Sequence, residues 1–411
     1  MGNFSIALSG LEADITALNT IGDNLANLNN TAYKEQSVSF EDLFHQQIGE
    51  SGTGDPIQVG SGTKVGTTSI DFREGTLLPD ADENTSDMAI DGDGFFMLEQ
   101  NGEQSLTRAG NFQLSPDGSL ITSDGANVLG YPVVEGKIDT SQPIEPLQLP
   151  VGATQPAQAS VNFWVTANLN SNAIVGSTFT TDVPLFDSLG QSYQATITYT
   201  KTAVGSWSYS MSLPPGAATG SSLNNTGTIT FDSLGNMTFP VGAVEPIIFS
   251  GLTDGAADLG LSWKLGRSTG VQTISQFDSP NNITSVTSFG FPSGIYTAFT
   301  VDTNGTVEAE FSNKNTQAIG QLAVANVTNE QGLTAISENR FQVTASSGKA
   351  VPGVAGTSNR GTVADSTLEG SNVDISIEFT RLIDAQREFE ANSKTLTTFN
   401  LLSEDILQMV K

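Results

Sequence analysis

The stretch DADENTSDMAIDGDGFF, residues 80–96, is the part of this sequence with the most visible chemistry. Asp80, Asp82, Glu83, Asp87, Asp91 and Asp93 fall within fourteen positions. Closely spaced carboxylates are what a calcium loop requires, because the ion takes hard oxygen ligands. An EF-hand register starting at Asp80 brings Asp82, Asn84 and Asp91 to ligand positions, but puts Thr85 where glycine must turn the loop. A register starting at Asp91 puts Phe95 and Phe96 inside the loop and Gly102 at its last ligand position. The expectation is therefore a solvated loop that runs into a strand, GFFMLEQ, paired with EQSLTRAG. No metal site is expected.

Catalytic chemistry has little to work with. The single histidine is His45, on the polar side of FEDLFHQQI, and there is no cysteine. That excludes thiol nucleophiles, disulfides, thiolate metal sites and most triads. Neither G-x-S-x-G, nor a P-loop, nor G-x-G-x-x-G occurs. Pairs of carboxylates among 44 acidic residues could in principle hydrolyse glycosides, but such pairs arise by chance at that number. The chain is read as non-enzymatic, with no catalytic residue and no cofactor.

The elements around these residues are more informative. Near the start, Phe4, Leu8, Leu11, Ile15, Leu18 and Leu25 follow a 4-3 spacing broken at Gly22, which predicts an amphipathic helix over 1–30. Near the end, Ile375, Leu382, Phe389, Leu396 and Val410 fall on one seven-residue repeat interrupted by Ser403, widened by Ile383, Leu401, Ile406 and Leu407. A helix is expected over 366–411. The region between reads as strand and turn. YQATITYTK and WSYSMSL alternate cleanly and predict a hairpin. Turn signals recur at SPDGS (115–119), DTNGT (302–306) and FDSLG (186–190 and 231–235). Gly-rich and Pro-rich segments at 49–66, 139–160 and 348–361 read as linkers.

The fold class that results is α+β, mostly β, with nested domains. A connector covers 31–70. A discontinuous β domain covers 71–147 and 288–365. An outer, barrel-like β domain is inserted at 148–287. The terminal helices form a coiled coil. Two helices alone would leave much of each apolar seam wet, so further copies of the same chain are expected to cover Leu8, Leu11, Ile15, Leu18, Leu25, Ile375, Leu382, Phe389, Leu396 and Val410. The net charge of −28 makes nucleic acid and anionic lipid poor partners. No apolar run is long enough to span a bilayer, and the N-terminus lacks the pattern of a cleaved secretory signal.

Both ends carry a family resemblance. Ser9-Gly10-Leu11, Asp23-Asn24-Leu25-Ala26-Asn27, Thr31-Ala32-Tyr33-Lys34 and Phe40-Glu41-Asp42-Leu43-Phe44 resemble the N-terminal signature of bacterial flagellar rod and hook proteins. Asp23 stands for the usual Asn and Ala32 for the usual Gly. Ser371-Asn372-Val373-Asp374, Ala385-Gln386-Arg387, Phe389 and Asn392 resemble its C-terminal signature. MAIDGDGFFML and RAGNFQLSPDG resemble the family's first β domain, and the insertion near 148–287 is similar to the hook branch in particular. The resemblance implies a homopolymeric, torque-transmitting tube outside the cell. It implies export without a cleaved signal by the flagellar type III apparatus. Rod, hook-cap, hook–filament junction and hook-length-control proteins are the implied partners. A rod protein is the nearest alternative, and a calcium-dependent surface adhesin is the alternative from another class.

Overall fold

The computed structural model describes residues 2–43, 46–50, 56–82, 84–266 and 272–409. His45, Phe44, Glu83 and Val410 lie outside the described residues, as do the side chains of Phe4, Ile406 and Leu407. The chain forms two compact units. One comprises Met1–Val151, Phe299–Ala309 and Gln317–Lys411, the other Gly152–Ala298 and Glu310–Thr316.

The first unit begins and ends in helices, α1 (Gly2–Ala26) and α2 (Ile375–Met409), which pack on each other. Asp374 caps α2: its Oδ1 accepts from the backbone N–H of Ser376 at 2.8 Å and of Ile377 at 3.2 Å, satisfying donors that a helix start leaves open. The segment expected as a connector is partly sheet. Gln36–Asp42 pairs antiparallel with Thr63–Ile70, and both strands pack on α1. Ser and Thr alternate along them and bond across the ladder, Ser37 to Ser69 at 2.8 Å and Ser39 to Thr67 at 2.9 Å. Polar cross-strand pairs of this kind support the ladder on one face, while Val38 and Phe40 take the alternate positions of the first strand.

Behind this lies a mainly antiparallel sheet. Phe95–Gln100 pairs with Glu103–Thr107, as GFFMLEQ and EQSLTRAG predict. Its core holds Phe95, Met97, Leu106, Leu129 and Phe341, all buried. Phe72, Phe95 and Phe341 meet edge to face at 5.1–5.9 Å between ring centres, a favoured aromatic geometry.

The second unit has the largest core, with Trp207, Trp263, Tyr199 and Phe163 fully buried. Thr178–Phe186, Ser192–Ala203, Ser206–Ser212, Thr226–Phe231 and Met237–Phe239 form an antiparallel meander that includes the predicted hairpin. A second sheet is built around Ala243–Phe249, Leu259–Lys264 and Asn162–Asn168. Trp263 of one sheet meets Tyr199 and Tyr209 of the other at 6.2 and 5.1 Å. The two faces thus share one core, and an isolated bridge, Asn236 to Ser275, joins the sheets at one edge. The opposite edge is joined as well, where the Ser160 N–H donates to Phe186 C=O at 2.8 Å and the Ser288 hydroxyl to Pro184 C=O at 2.6 Å.

Among the described residues, a single glycine turn is used at five places. In residues 115–119, 122–126, 187–191, 232–236 and 302–306 the first N–H bonds to the fifth C=O, and the fourth residue is a glycine whose N–H returns to the first C=O. Those glycines have φ between 80° and 89°, open to glycine at little cost. In the three copies that start with Asp, its Oδ1 also accepts two backbone N–H groups.

Candidate assembly interface

The face of α1 that meets α2 is made of small and polar residues and one large apolar side chain, Ile21. Ala7, Asp14, Ile21 and Asn24 are buried, and with Gly10 and Ala17 they keep a 3-4 spacing. The contact is close. A Cβ on Gly10 would stand 2.9 Å from the Asn392 side-chain nitrogen, and Asn392 donates to Asp14 at 2.8 Å. On α2, Glu378, Leu382, Ala385, Phe389, Asn392, Leu396 and Phe399 are less exposed and form a continuous 4-3 repeat, with Ser393 beside it.

The seam inside the chain is therefore displaced by one residue from the apolar stripe on α1. Leu8 is 41% exposed and Ile15 47%, while Leu11, Leu18 and Leu25 are half-buried. On α2, Leu382, Phe389 and Leu396 lie half-buried along the seam, whereas Ile375 is 45% exposed and Ile383 48%. One residue is about 100° around a helix. The leucines of α1 consequently flank α2 instead of facing it, and Leu8 and Ile15 are only partly covered within the chain.

The residues that carry the terminal signatures form a hub at the base of the helices. Asn24 closes a two-way bond with Gln36, accepting its N–H at 2.9 Å and donating to its C=O at 2.8 Å. The Tyr33 hydroxyl lies 3.2 Å from both Asp23 Oδ2 and Asn24 Oδ1. Burial, with Asp23 next, pushes its ionisation well above the ordinary tyrosine range. Asn372 accepts from the Glu35 N–H at 2.7 Å and donates to the C=O of Asp71 and Arg73 at 2.8 and 3.1 Å. Ala32, where glycine is usual, sits at φ 55° and donates its N–H to Glu369 C=O at 2.7 Å. The left-handed turn is made there without glycine, and the closed hub holds it.

Beneath the hub is a buried ionic cluster that sequence reading did not find. Glu369, fully buried, takes Lys34 Nζ at 2.6 Å, Arg108 Nε at 2.8 Å and the Gly75 N–H at 2.9 Å. The rest of the Arg108 guanidinium donates to the C=O of Gly92, Gly94 and Ile90. Burial would raise the Glu369 carboxyl, but Arg108, Lys34 and the Gly75 N–H outweigh it and hold it below its ordinary 4.5. Lys34 is lowered too: burial costs its charged form more than Glu369 returns. The two directions pull oppositely, and the geometry decides. Each carboxylate oxygen has a cationic partner at close range, so the ion pair persists near neutral pH. One faint signal existed in the sequence: Lys34, Arg108 and Glu369 each sit within or beside a quoted family motif.

The acidic stretch resolves into turn and strand. Asp80 accepts from the N–H of Asp82 and Asn84, and Asp93 accepts from Asn359 at 3.0 Å. Met88–Asp91 pairs with Thr362–Asp365, and Phe95 and Phe96 are buried. Among the described residues, no group of three or more His, Cys, Asp or Glu side chains could hold a metal.

Comparison with known proteins agrees with this arrangement. Residues 364–409 match the flagellar basal body rod FlgEFG protein C-terminal model, residues 89–162 the flagellar hook protein FlgE/F/G D1 domain model, and residues 166–291 the flagellar basal body protein FlaE D2 domain model. The chain is 32% identical to the flagellar hook protein FlgE of Escherichia coli (strain K12), covering 96% of each chain. This chain belongs to the flagellar hook protein family. It is also 30% identical to the hook protein of Salmonella typhimurium, over 96% of this chain and 97% of that one. The hook protein of Treponema pallidum is 28% identical, over 98% of both. The crystal structure of Helicobacter pylori flagellar hook protein FlgE2 shares the fold, with TM-score 0.53 and 15% identity over 71% of this chain and all of that one. The hook family's first β domain model ends just past the start of the second compact unit, and its D2 model lies wholly within that unit.

Proposed function

We propose that this chain is a structural, non-catalytic subunit that self-assembles into the flagellar hook, the curved tube carrying torque from rod to filament outside the cell. The observation that carries the assembly mechanism is the displaced stripe on α1. The intramolecular seam is built from Ala7, Gly10, Asp14, Ile21 and Asn24, and Leu8 and Ile15 remain exposed beside it. Helices that spend their small residues on each other and keep leucines outward suit packing with neighbouring copies. In this reading residues 1–30 and 366–411 form a coiled-coil inner layer, and Leu8, Leu11, Ile15, Leu18, Leu25, Ile375, Leu382, Phe389, Leu396 and Val410 meet other subunits. The β domain of 71–147 and 288–365 and the outer insertion of 148–287 supply contacts that slide as the tube bends, since polar interfaces repack at low cost. Export uncleaved through the type III apparatus belongs to the same reading, as do the rod, cap, junction and length-control partners.

The test is assembly of purified full-length chain, viewed by electron microscopy. Curved tubes are expected. Straight rods only, or no assembly under conditions where the helices form, overturns the proposal.

A further inference from the structure

Asparagine followed by glycine occurs twice in the chain, at Asn101-Gly102 and at Asn304-Gly305. The pair is chemically labile. Asparagine is a thermolabile residue. The backbone nitrogen of a following glycine can attack its side-chain Cγ, because no Cβ hinders the approach. The fold treats the two copies differently.

Asn304-Gly305 is held on several sides. Asn304 donates its N–H to Asp302 Oδ1 at 2.9 Å, and its C=O accepts from Gln321 Nε2 at 3.0 Å. The Gly305 N–H, whose nitrogen would attack, donates to Asp302 C=O at 2.8 Å. Gly305 is buried, and its C=O accepts the Leu322 N–H at 2.8 Å. Asn101-Gly102 is instead the two-residue loop between Phe95–Gln100 and Glu103–Thr107, with φ of 55° and 84°. Positive φ at both positions is what a type I′ hairpin turn requires. Both residues are exposed, and nothing lies within 4 Å of a Cβ placed on Gly102. Among the described residues no hydrogen bond holds the Gly102 N–H. Opening this tip releases only the end pair Gln100–Glu103. Opening the other turn breaks all the bonds just named, and local openings become rarer with each bond they must break.

We propose that Asn101 is a site of spontaneous modification, converting to aspartate and isoaspartate while Asn304 stays intact. The Gly102 nitrogen bonds to Asn101 Cγ, and the Cγ–Nδ2 bond breaks. The side-chain nitrogen leaves as ammonia, taking the proton that Gly102 gives up, and a cyclic imide remains. Water then opens the ring at either carbonyl. One opening gives aspartate. The other gives isoaspartate, in which the main chain runs through the side-chain carbons and is longer by one methylene. Either product places a carboxylate in a loop flanked by Glu99 and Glu103. Isoaspartate also lengthens a loop whose turn type fits two ordinary residues, so the Gln100–Glu103 pair opens. Gln100 carries more than the ladder. Its side chain donates to Asp124 C=O at 3.0 Å and accepts from Arg340 Nη1 at 3.1 Å. The modification therefore loosens this edge of the β domain as the protein ages. The proposal does not depend on the hook reading.

The experiment incubates the full-length chain at mildly alkaline pH, native and in urea, and follows both asparagines by peptide mapping with mass spectrometry. In the native chain Asn101 should deamidate about tenfold faster than Asn304, or more. In urea the two rates should converge, because the turn that protects Asn304 is gone. Hydrogen exchange of the aged native chain should quicken over 95–107 and stay unchanged over 192–212. Asn101→Ser, a change at an exposed side chain, should show no such quickening after the same incubation. An unmodified Asn101, a native Asn304 that reacts as fast, or a rate difference that persists in urea overturns the proposal. So does exchange over 95–107 that ignores age, or that quickens equally in Asn101→Ser.

Discussion

Glu369 is the residue on which the base of the molecule closes. Lys34, Arg108 and the Gly75 N–H converge on one carboxylate that has no access to water. Replacing it with glutamine keeps the shape but leaves two buried cations without a counter-charge. Glu369→Gln should therefore cost about 3–5 kcal/mol in urea unfolding of the monomer. The pH dependence has a defined sign. The folded carboxyl ionises below its ordinary 4.5, so its contribution is fully present above that value and is lost as the pH falls through the lowered folded value. Wild-type stability should drop on this acid limb, and the Glu369→Gln chain should show a shallower drop. Equal slopes for the two chains would remove Glu369 from the account.

Along α1, one helix carries two stripes with separate tasks. Ala7, Gly10, Asp14, Ile21 and Asn24 face inward, while Leu8 and Ile15 stay about half exposed. The double change Leu8→Ser and Ile15→Ser should alter monomer stability by less than about 1 kcal/mol, because exposed positions contribute little. The same change should abolish tube formation, read by sedimentation and microscopy. The inward stripe should behave in the opposite way. Gly10→Ala gains up to about 1 kcal/mol of helix propensity. It also displaces Asn392 from Asp14, a hydrogen bond to a charged group worth about 1.5–3 kcal/mol. A net loss of about 1 kcal/mol in monomer stability is expected. A stabilised Gly10→Ala chain would mean that the helices do not pack as described.

At the scale of the whole chain, the structure moves the boundary between folded core and assembly helix. The helix expected over 366–411 would place it at 366. Yet Asn372 bonds the Glu35 N–H and two carbonyls, Val373 is buried, and Glu378 is buried at the seam beside Arg381, which pairs with Glu35. A chain ending at Glu388 should keep the melting temperature of the monomer core and fail to polymerise. A chain ending at Ser371 should melt well below it. Charge acts at this scale as well. Subunits of net charge −28 repel one another, so added salt should promote polymerisation by screening. Light scattering that stays flat or falls as salt rises would count against assembly through these helices.

Much was legible in the residues themselves. Helical spacing placed α1 and α2, strict alternation placed the hairpin of Ser192–Ala203 and Ser206–Ser212, and Asp-x-x-Gly marked the turns, because each depends on neighbours within a few positions. The terminal motifs carried the family. Tertiary structure alone decided which stripe of α1 faces α2. Small residues allow the closer approach, so the Ala-Gly-Asp face met Asn392, and the larger leucines were left outward. It alone showed that 36–42 and 63–70 pair with each other, since which strands pair is not fixed by either stretch alone. It also gathered Lys34, Arg108 and Glu369, hundreds of positions apart in part, around one buried charge. The acidic stretch at 80–96 shows the division most clearly. Its carboxylates invited a metal reading by spacing, but the fold commits Asp80 to a turn, Asp93 to Asn359, and the carbonyls of Ile90, Gly92 and Gly94 to Arg108. Spacing proposes ligands, and only the three-dimensional path of the backbone determines which oxygens converge.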